Sequence, residues 1–365
     1  MPLSASPRLR GAISSILKFM SRMLEEIRQQ PERLERTLRN ELKRVERFKR
    51  LIGKRRPTLV VLVARGTSDN AALFGRYLLE ITTRIPVSLA APSIYTLYNT
   101  RVNFREALVV AISQSGESTD TNLILEEARK QGALTVGITN EASSSMAKLA
   151  QQVFFVHAGK EKSVAATKTY TGQVLMLYLL AYALGAHIRP DDLARLPDRA
   201  AAALRLESEI ADLSERFRFM DHCVVMGRGL NYANAFELAL KLMETCYVVA
   251  ERFSSADFLH GPIALVEPSF PVFVFAPSGV TWKPVREAIE KLKGLKAETV
   301  VITDSSNMPA SEIGTRVIRL PQRLPELYTP IPYIIPAQIL AAYLAAQKGL
   351  NPDLPRTLSK VTLTL

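Results

Sequence analysis

Four hydroxyls and one amide fall within seven residues of this chain: Ser113, Gln114, Ser115, Ser118 and Thr119, with Gly116 among them. They follow the apolar, β-branched run Val109-Val110-Ala111-Ile112. A helical pattern continues from Asn122 to Lys130, with Leu123, Leu125 and Ala128 read as its apolar side. Such a strand–turn–helix unit leaves free backbone N–H groups and the positive end of the helix dipole at the turn, and both favour an anion. Helix capping accounts for one hydroxyl, not four. No lysine lies in the turn, so it is not the glycine-rich nucleotide loop that ends in Gly-Lys-Ser/Thr. Hydroxyls and amides without a fixed cation suit a sugar phosphate.

Four further stretches could carry chemistry. Glu237, Lys241 and Glu244 lie at i, i+4 and i+7, on one face of a predicted helix. Their simplest role is a surface ion pair, but the helix follows an Arg-Gly turn. His260 stands in the turn Asp257-Phe258-Leu259-His260-Gly261-Pro262, and a histidine beside a candidate acid/base carboxylate titrates in a useful range. Lys360 is isolated in the tail motif Arg356-Thr357-Leu358-Ser359-Lys360. From spacing alone it is an ordinary tail lysine; the alternative is an amine that forms a Schiff base with a carbonyl. Lys160 to Thr169, with Ala165 in its middle, is either a capping stretch or a second polar wall for a sugar.

The elements that must position these residues alternate. Strands are expected at 59–64, 86–90, 108–112, 134–139 and 153–157, and helices at 70–82 and 163–184. One or two helices fill 190–217. Then the pattern restarts, with strands at 223–226, 272–276 and 299–303 and helices at 233–246 and 283–293. Arg65-Gly66 recurs as Arg228-Gly229 and Gly116 as Gly279, each 163 positions on, and Thr139 recurs as Thr303, 164 positions on. A register kept across three landmarks means two copies of one module. Alternating strands and helices imply a parallel sheet flanked by helices in each. Ligands of such sheets sit at the carboxyl ends of the strands, where Gly66-Thr67-Ser68, the Ser113 turn and Gly229 fall. The second copy has lost the hydroxyl-rich turn: Ala276-Pro277-Ser278-Gly279 stands in its place. One module therefore keeps the phosphate site, and the other is free to supply catalytic groups.

Length and composition set the class. With 365 residues, 47% hydrophobic and 22% charged, the chain can build two large cores. No apolar run is long enough to span a bilayer, and no signal-peptide pattern opens the chain. Two cysteines, Cys223 in a strand and Cys246 in a helix, fit small core residues of a reduced, cytoplasmic protein. The net charge of +12 is concentrated in the first 56 residues, in amphipathic helical sequence. Without aromatic interleaving or zinc spacing, this argues against a specific nucleic-acid site. No metal-ligand spacing occurs, so chemistry without a metal or cofactor is expected.

Six ordered motifs together resemble a known family. They are Arg65-Gly66-Thr67-Ser68, Ser113 to Ser118, Glu161 with Val164-Ala165-Ala166-Thr167-Lys168, Glu237 to Glu244, His260-Gly261-Pro262, and Pro355 to Lys360. They look like the double sugar-isomerase (SIS) half of glucosamine-6-phosphate synthase and its stand-alone relatives, the isomerising deaminases among them. The resemblance covers roughly residues 15 to 365. It implies an α/β fold of two tandem modules, each a flavodoxin-like three-layer unit with a parallel sheet. The expected division is a helical leader over 1–56, a phosphate-binding module over 57–200, a second module over 201–350 with the catalytic Glu and His, and a tail over 351–365.

The resemblance also implies roles. Ser113, Gln114, Ser115 and Ser118 would hold the phosphate, with Thr67, Ser68 and Ala165 lining the same site. Glu244 would move a proton between C1 and C2 of the open-chain sugar, assisted by Lys241. His260 would open the ring, reaching the site from the neighbouring subunit of an obligate homodimer. Lys360 would form the Schiff base with a ketose phosphate. Departures are also present. Met1 is followed by Pro2, and with roughly 60 residues before the first module no glutamine-splitting domain is expected. Ser118 stands where much of the family has Thr, and Phe236 and Met243 alter the pocket wall. The expected reaction is conversion of glucosamine 6-phosphate to fructose 6-phosphate and ammonia. Alternatives are a fructosamine-6-phosphate deglycase, ammonia-dependent synthesis, and a non-enzymatic sugar-phosphate sensor.

Overall fold

The computed structural model describes residues 21–360. The first 20 residues of the helical leader expected over 1–56, and the last five of the tail expected over 351–365, lie outside them.

The first sheet contains β1 (Leu59–Val63), β2 (Val87–Leu89), β3 (Ala107–Ser113), β4 (Leu134–Thr139) and β5 (Gln152–Phe155), in the order β2-β1-β3-β4-β5. The second contains β6 (His222–Gly227), β7 (Val249–Ser254), β8 (Pro271–Phe275), β9 (Glu298–Asp304) and β10 (Arg316–Leu320). Its order, β10-β9-β8-β6-β7, is the same topology read from the other edge. Every ladder is parallel. Parallel sheets carry crossover helices on both faces, so their central strands are continuous apolar runs. All seven residues of β3 and all seven of β9 are buried. The expected pair of α/β modules is thus present, each with its order reversing beside its first strand.

The two strands that hydrophobic patterning misses, β7 and β10, are both sheet edges. Glu251 and Arg252 interrupt one, and Arg316 and Arg319 the other. Charge on an edge strand discourages pairing with another chain, and it also erases the apolar signal. The helix expected over 163–184 begins only at Lys168. The stretch 190–217 resolves into three helices, Pro190–Ala194, Leu196–Leu204 and Glu207–Glu215. Leu123 faces solvent; Ile124, Leu125 and Ala128 form the buried side of the helix Thr119–Lys130.

One apolar core runs through both modules, from Met23 and Val45 past Leu62 and Leu177 to Phe273, Ile302 and Leu340. The helices Lys168–Ala183 and Pro330–Gln347 are buried almost all round, as expected of helices apolar on every face. The helix Thr67–Thr83 packs directly on Tyr232–Lys241. These two hold equivalent places, each following the first strand of its module, and they run antiparallel: Thr67 and Asn70 meet Lys241 and Glu237 at one end, and Tyr77 meets Tyr232 at the other. Cys223 and Cys246 are buried and unpaired. Among the described residues, no helix is long and apolar enough to cross a membrane, and no group of three His, Cys, Asp or Glu side chains could hold a metal ion.

Candidate active site

Val63 of β1 lies opposite Ala111 of β3, so the chain leaves both strands side by side at the point where the sheet order reverses. That crevice is the usual ligand position of such sheets. The turn after β1 is Arg65-Gly66-Thr67-Ser68, and Gly66 adopts φ 56° to enter the helix Thr67–Thr83. Arg65 ties this turn to the next one: its Nε is 2.6 Å from Oδ2 of the fully buried Asp120.

In the turn after β3, Ser113 Oγ accepts the Gly116 N–H at 3.1 Å and lies 3.3 Å from Ser118 Oγ. Ser115 Oγ accepts the Glu117 N–H, and Asn122 Nδ2 donates to the Gly116 carbonyl at 3.0 Å. Gly116 has φ 68°, and a Cβ there would meet Ser144 Oγ at 2.3 Å; only glycine fits. The helix starts at Thr119, with Ser118 at the N-cap position and no side-chain cap bond. Capping therefore does not use the Ser118 hydroxyl, which stays available at the helix N-terminus. Gln114, Ser115 and Ser118 are half-buried, and Ser113 is buried beneath them.

The second module contributes a cation and two carboxylates. After Lys241 the helix widens into a π turn, Leu242–Cys246, a feature common at functional sites. Lys241 Nζ lies 2.6 Å from Glu244 Oε2, 3.4 Å from Glu237 Oε1 and 3.1 Å from Thr67 Oγ1. Asn70 Nδ2 donates to Glu237 Oε2 at 2.7 Å. Lys241 and Glu237 are fully buried, whereas Glu244 keeps 22% of its side-chain surface. This is not a surface ion pair. Burial drives the Glu237 carboxyl up to about 7, against the pull of Lys241 and Asn70. Burial also works against charge on Lys241, but Glu237 and Glu244 outweigh it and hold the ammonium well above the ordinary lysine range.

The stretch 163–167 forms a third wall rather than a helix. Glu26 Oε1 and Oε2 accept the Lys162 and Ser163 N–H groups. Glu161 accepts from Thr167 N at 2.9 Å, from Thr169 N at 3.2 Å and from Thr169 Oγ1 at 2.6 Å. These contacts fix the loop around the buried Ala165. Gln173 Nε2 donates to Ser68 Oγ at 2.9 Å. Ser163 Oγ, Thr167 Oγ1 and Gln173 Oε1 are buried without a partner among the described residues, which is unspent capacity for ligand hydroxyls.

Lys360 closes this wall. Its Nζ lies 3.0 Å from Glu161 Oε2 and 2.6 Å from the Ser163 carbonyl. Burial opposes ionisation of Glu161, but the Lys360 charge and the bonds from Thr169 and Thr167 outweigh it and hold the carboxyl below its usual range. Asp353 anchors the tail by accepting the Arg22 and Met23 N–H groups. The Arg356 N–H donates to Tyr247 Oη at 2.7 Å. Between tail and π turn lies a cavity of 440 Å³ lined by Met243, Glu244, Tyr247, Arg356, Thr357 and Leu358.

Within one chain, then, Thr67, Lys241 and Glu244 meet directly. The Ser113 turn lies across the switch point, Ser68 beside Gln173, and Lys360 on the Ala165 loop. His260 does not join them. It follows the short helix Ser255–Leu259 and is exposed, and among the described residues no hydrogen bond or ion pair links its ring to the others.

Residues 55–183 and 218–348 each match the SIS domain. The chain belongs to the SIS-domain family. It is 35% identical over 344 residues to a glutamine–fructose-6-phosphate aminotransferase (isomerizing) of Pyrococcus horikoshii, covering 93% of this chain and 57% of that protein. The chain thus spans little more than half the length of that relative. Among solved structures, the C-terminal domain of glucosamine-fructose-6-phosphate aminotransferase from Francisella tularensis superposes with a TM-score of 0.85 at 28% identity, covering 93% of this chain and 99% of that one. A candidate phosphosugar isomerase of Silicibacter pomeroyi DSS-3 gives a TM-score of 0.82 at 31% identity, covering 92% and 100%. This SIS pair packs its two first helices face to face, which is what lets Thr67 of one module touch Lys241 of the other.

Reading the sequence by motif leaves out several residues that build the site. Gln173 is the one that carried a signal, as the amide immediately before the apolar run Val174 to Leu180. Asn70, Asp120 and Glu26 carried none, because each acts through a partner at least 55 positions away.

Proposed function

We propose that this chain is a sugar-phosphate aldose–ketose isomerase that deaminates glucosamine 6-phosphate to fructose 6-phosphate and ammonia. The observation that carries the reading is the junction of Thr67, Lys241 and Glu244 beside the hydroxyl turn. It puts a half-buried carboxylate and a buried cation at the turn after β1, on the strand that pairs with β3 ahead of the hydroxyl turn. Binding the phosphate at Ser113, Gln114, Ser115 and Ser118 fixes the reacting carbons, so binding energy is used for orientation.

In this reading His260, supplied by a second copy in a homodimer, opens the sugar ring. Glu244 removes the C2 proton and returns it to C1, with Lys241 stabilising the oxyanion that develops on O1. The amine-bearing carbon becomes a ketose-type imine. The Lys360 amine adds to it, ammonia leaves, and water hydrolyses the resulting Schiff base to fructose 6-phosphate. Lys360 must lose a proton before it attacks; until then Glu161 and the Ser163 carbonyl hold its ammonium in place. The test is release of ammonia and fructose 6-phosphate from glucosamine 6-phosphate by the purified protein, without glutamine or added metal. Equal release of both supports the reading; tight binding without release sinks it.

The 440 Å³ cavity beside Glu244 favours one second reading. It offers more room than an ammonia leaving group needs, as a deglycase acting on a fructosamine 6-phosphate with a bulkier amine would require. The same assay with an amino-acid adduct of fructosamine 6-phosphate separates the two.

A further inference from the structure

The second module's switch point is not vacant. Gly229 occupies the place of Gly66, Gly279 that of Gly116 and Thr281 that of Ser118, all 163 positions on. Thr281 sits at the N-cap position of the helix Trp282–Gly294, as Ser118 does for Thr119–Lys130. Between the two glycine turns lies the carboxylate of Glu326, delivered by the short 3-10 turn Glu326–Tyr328. Thr281 Oγ1 donates to Glu326 Oε1 at 2.6 Å, and the Thr281 N–H donates to Oε2 at 3.3 Å. A Cβ on Gly279 would stand 2.3 Å from Oε2, and one on Gly229 would stand 3.9 Å from Oε1. The carboxylate therefore meets the same helix end, the same N-cap-position hydroxyl and the same two glycine turns that frame the first module's proposed anion site.

We propose that Glu326 is an intramolecular ligand closing a second anion site, so that the wild-type chain takes one phosphate-bearing ligand rather than two. The ligand class rests on the phosphate reading of the Ser113–Ser118 turn. The second site rests on the Glu326 contacts themselves. This explains why the second module dispenses with the hydroxyls of the first: a carboxylate from the chain satisfies the helix end permanently, and the loop 321–329 is pinned across the sheet as a result.

The test is equilibrium dialysis of the full chain against labelled inorganic phosphate. One equivalent is expected for wild type, two for Glu326→Ala, and one for Glu326→Ala combined with Thr281→Ala. Zero for wild type with one for Glu326→Ala would remove the first-site reading and leave the second site standing. No added equivalent in a folded Glu326→Ala protein overturns the proposal. Should that variant not fold, Glu326→Gln decides, because it keeps the size and an acceptor oxygen but loses the charge. Its melting temperature is expected to fall by about 2 °C or more at neutral pH; an unchanged melting temperature would mean that the pocket does not call for an anion.

Discussion

Lys241 Nζ and Thr67 Oγ1 lie 3.1 Å apart, although 174 positions separate them in the chain. This contact joins the turn after β1 of one SIS module to the charged helix of the other. In the proposed reading neither module holds a complete site. Their first helices, equivalent by the internal repeat, pack on each other and make one site from two halves.

The half supplied by the second module is expected to do the proton chemistry. Glu244→Gln keeps the shape and a hydrogen-bond acceptor toward Lys241 but removes the base. A loss of turnover of roughly 10²- to 10⁴-fold is expected, with the affinity for sugar phosphate retained. Steady-state rates together with a binding titration check this. Undiminished turnover would exclude Glu244 as the proton carrier.

Glu237 ties stability to pH. Its carboxyl is raised from 4.5 to about 7, chiefly by burial. Between those values the folded chain holds a proton that the unfolded chain has released. Its contribution to stability is therefore present at low pH, declines as pH rises through 7, and is flat above, a span of roughly 3 kcal/mol. Denaturant unfolding at pH 5 and pH 8 should show that decline in wild type and a smaller one in Glu237→Gln. Parallel profiles for the two proteins would refute the assignment.

The hydroxyl turn should control binding rather than chemistry. Ser118→Ala removes a hydroxyl that capping does not use, so little stability should be lost. The KM for the sugar phosphate should rise roughly tenfold or more, the worth of a hydrogen bond to a charged group, with kcat nearly unchanged. Gly116→Ala should do more damage. Its Cβ would collide with Ser144 Oγ at a positive φ, so both the melting temperature and the phosphate affinity should fall. A Ser118→Ala protein with wild-type KM would place the phosphate elsewhere.

What patterning could read depended on how far each residue's partners lie along the chain. The buried strands, the two-fold repeat and the Ser113 turn were legible because local apolar runs and a constant spacing encode them. The edge strand Val249–Ser254 was not, because Glu251 and Arg252 break its apolar run. The helix Pro330–Gln347 was not, because Pro332 and Pro336 read as breakers; its burial supplies what propensity lacks. The spacing of Glu237, Lys241 and Glu244 was visible, yet their burial follows from the packing of two helices that lie far apart in sequence. The Lys360–Glu161 and Glu326–Thr281 pairs span 199 and 45 positions, and no local signal announces contacts of that kind.

The paired state of Lys360 leads to the sharpest test of the covalent step. A lysine held by a buried carboxylate and a carbonyl looks structural, and a purely structural lysine would tolerate arginine, which pairs with carboxylates at least as well. A Schiff-base lysine would not, since guanidinium neither loses its proton nor forms an imine. Wild-type protein treated with fructose 6-phosphate and borohydride should gain the mass of one reduced sugar phosphate per chain, carried on the peptide that contains Lys360. Lys360→Arg should remain folded, with a near-normal melting temperature, and gain none. Trapping at the wild-type rate in Lys360→Arg would reduce Lys360 to a tether for the tail and move the carbonyl chemistry to another amine.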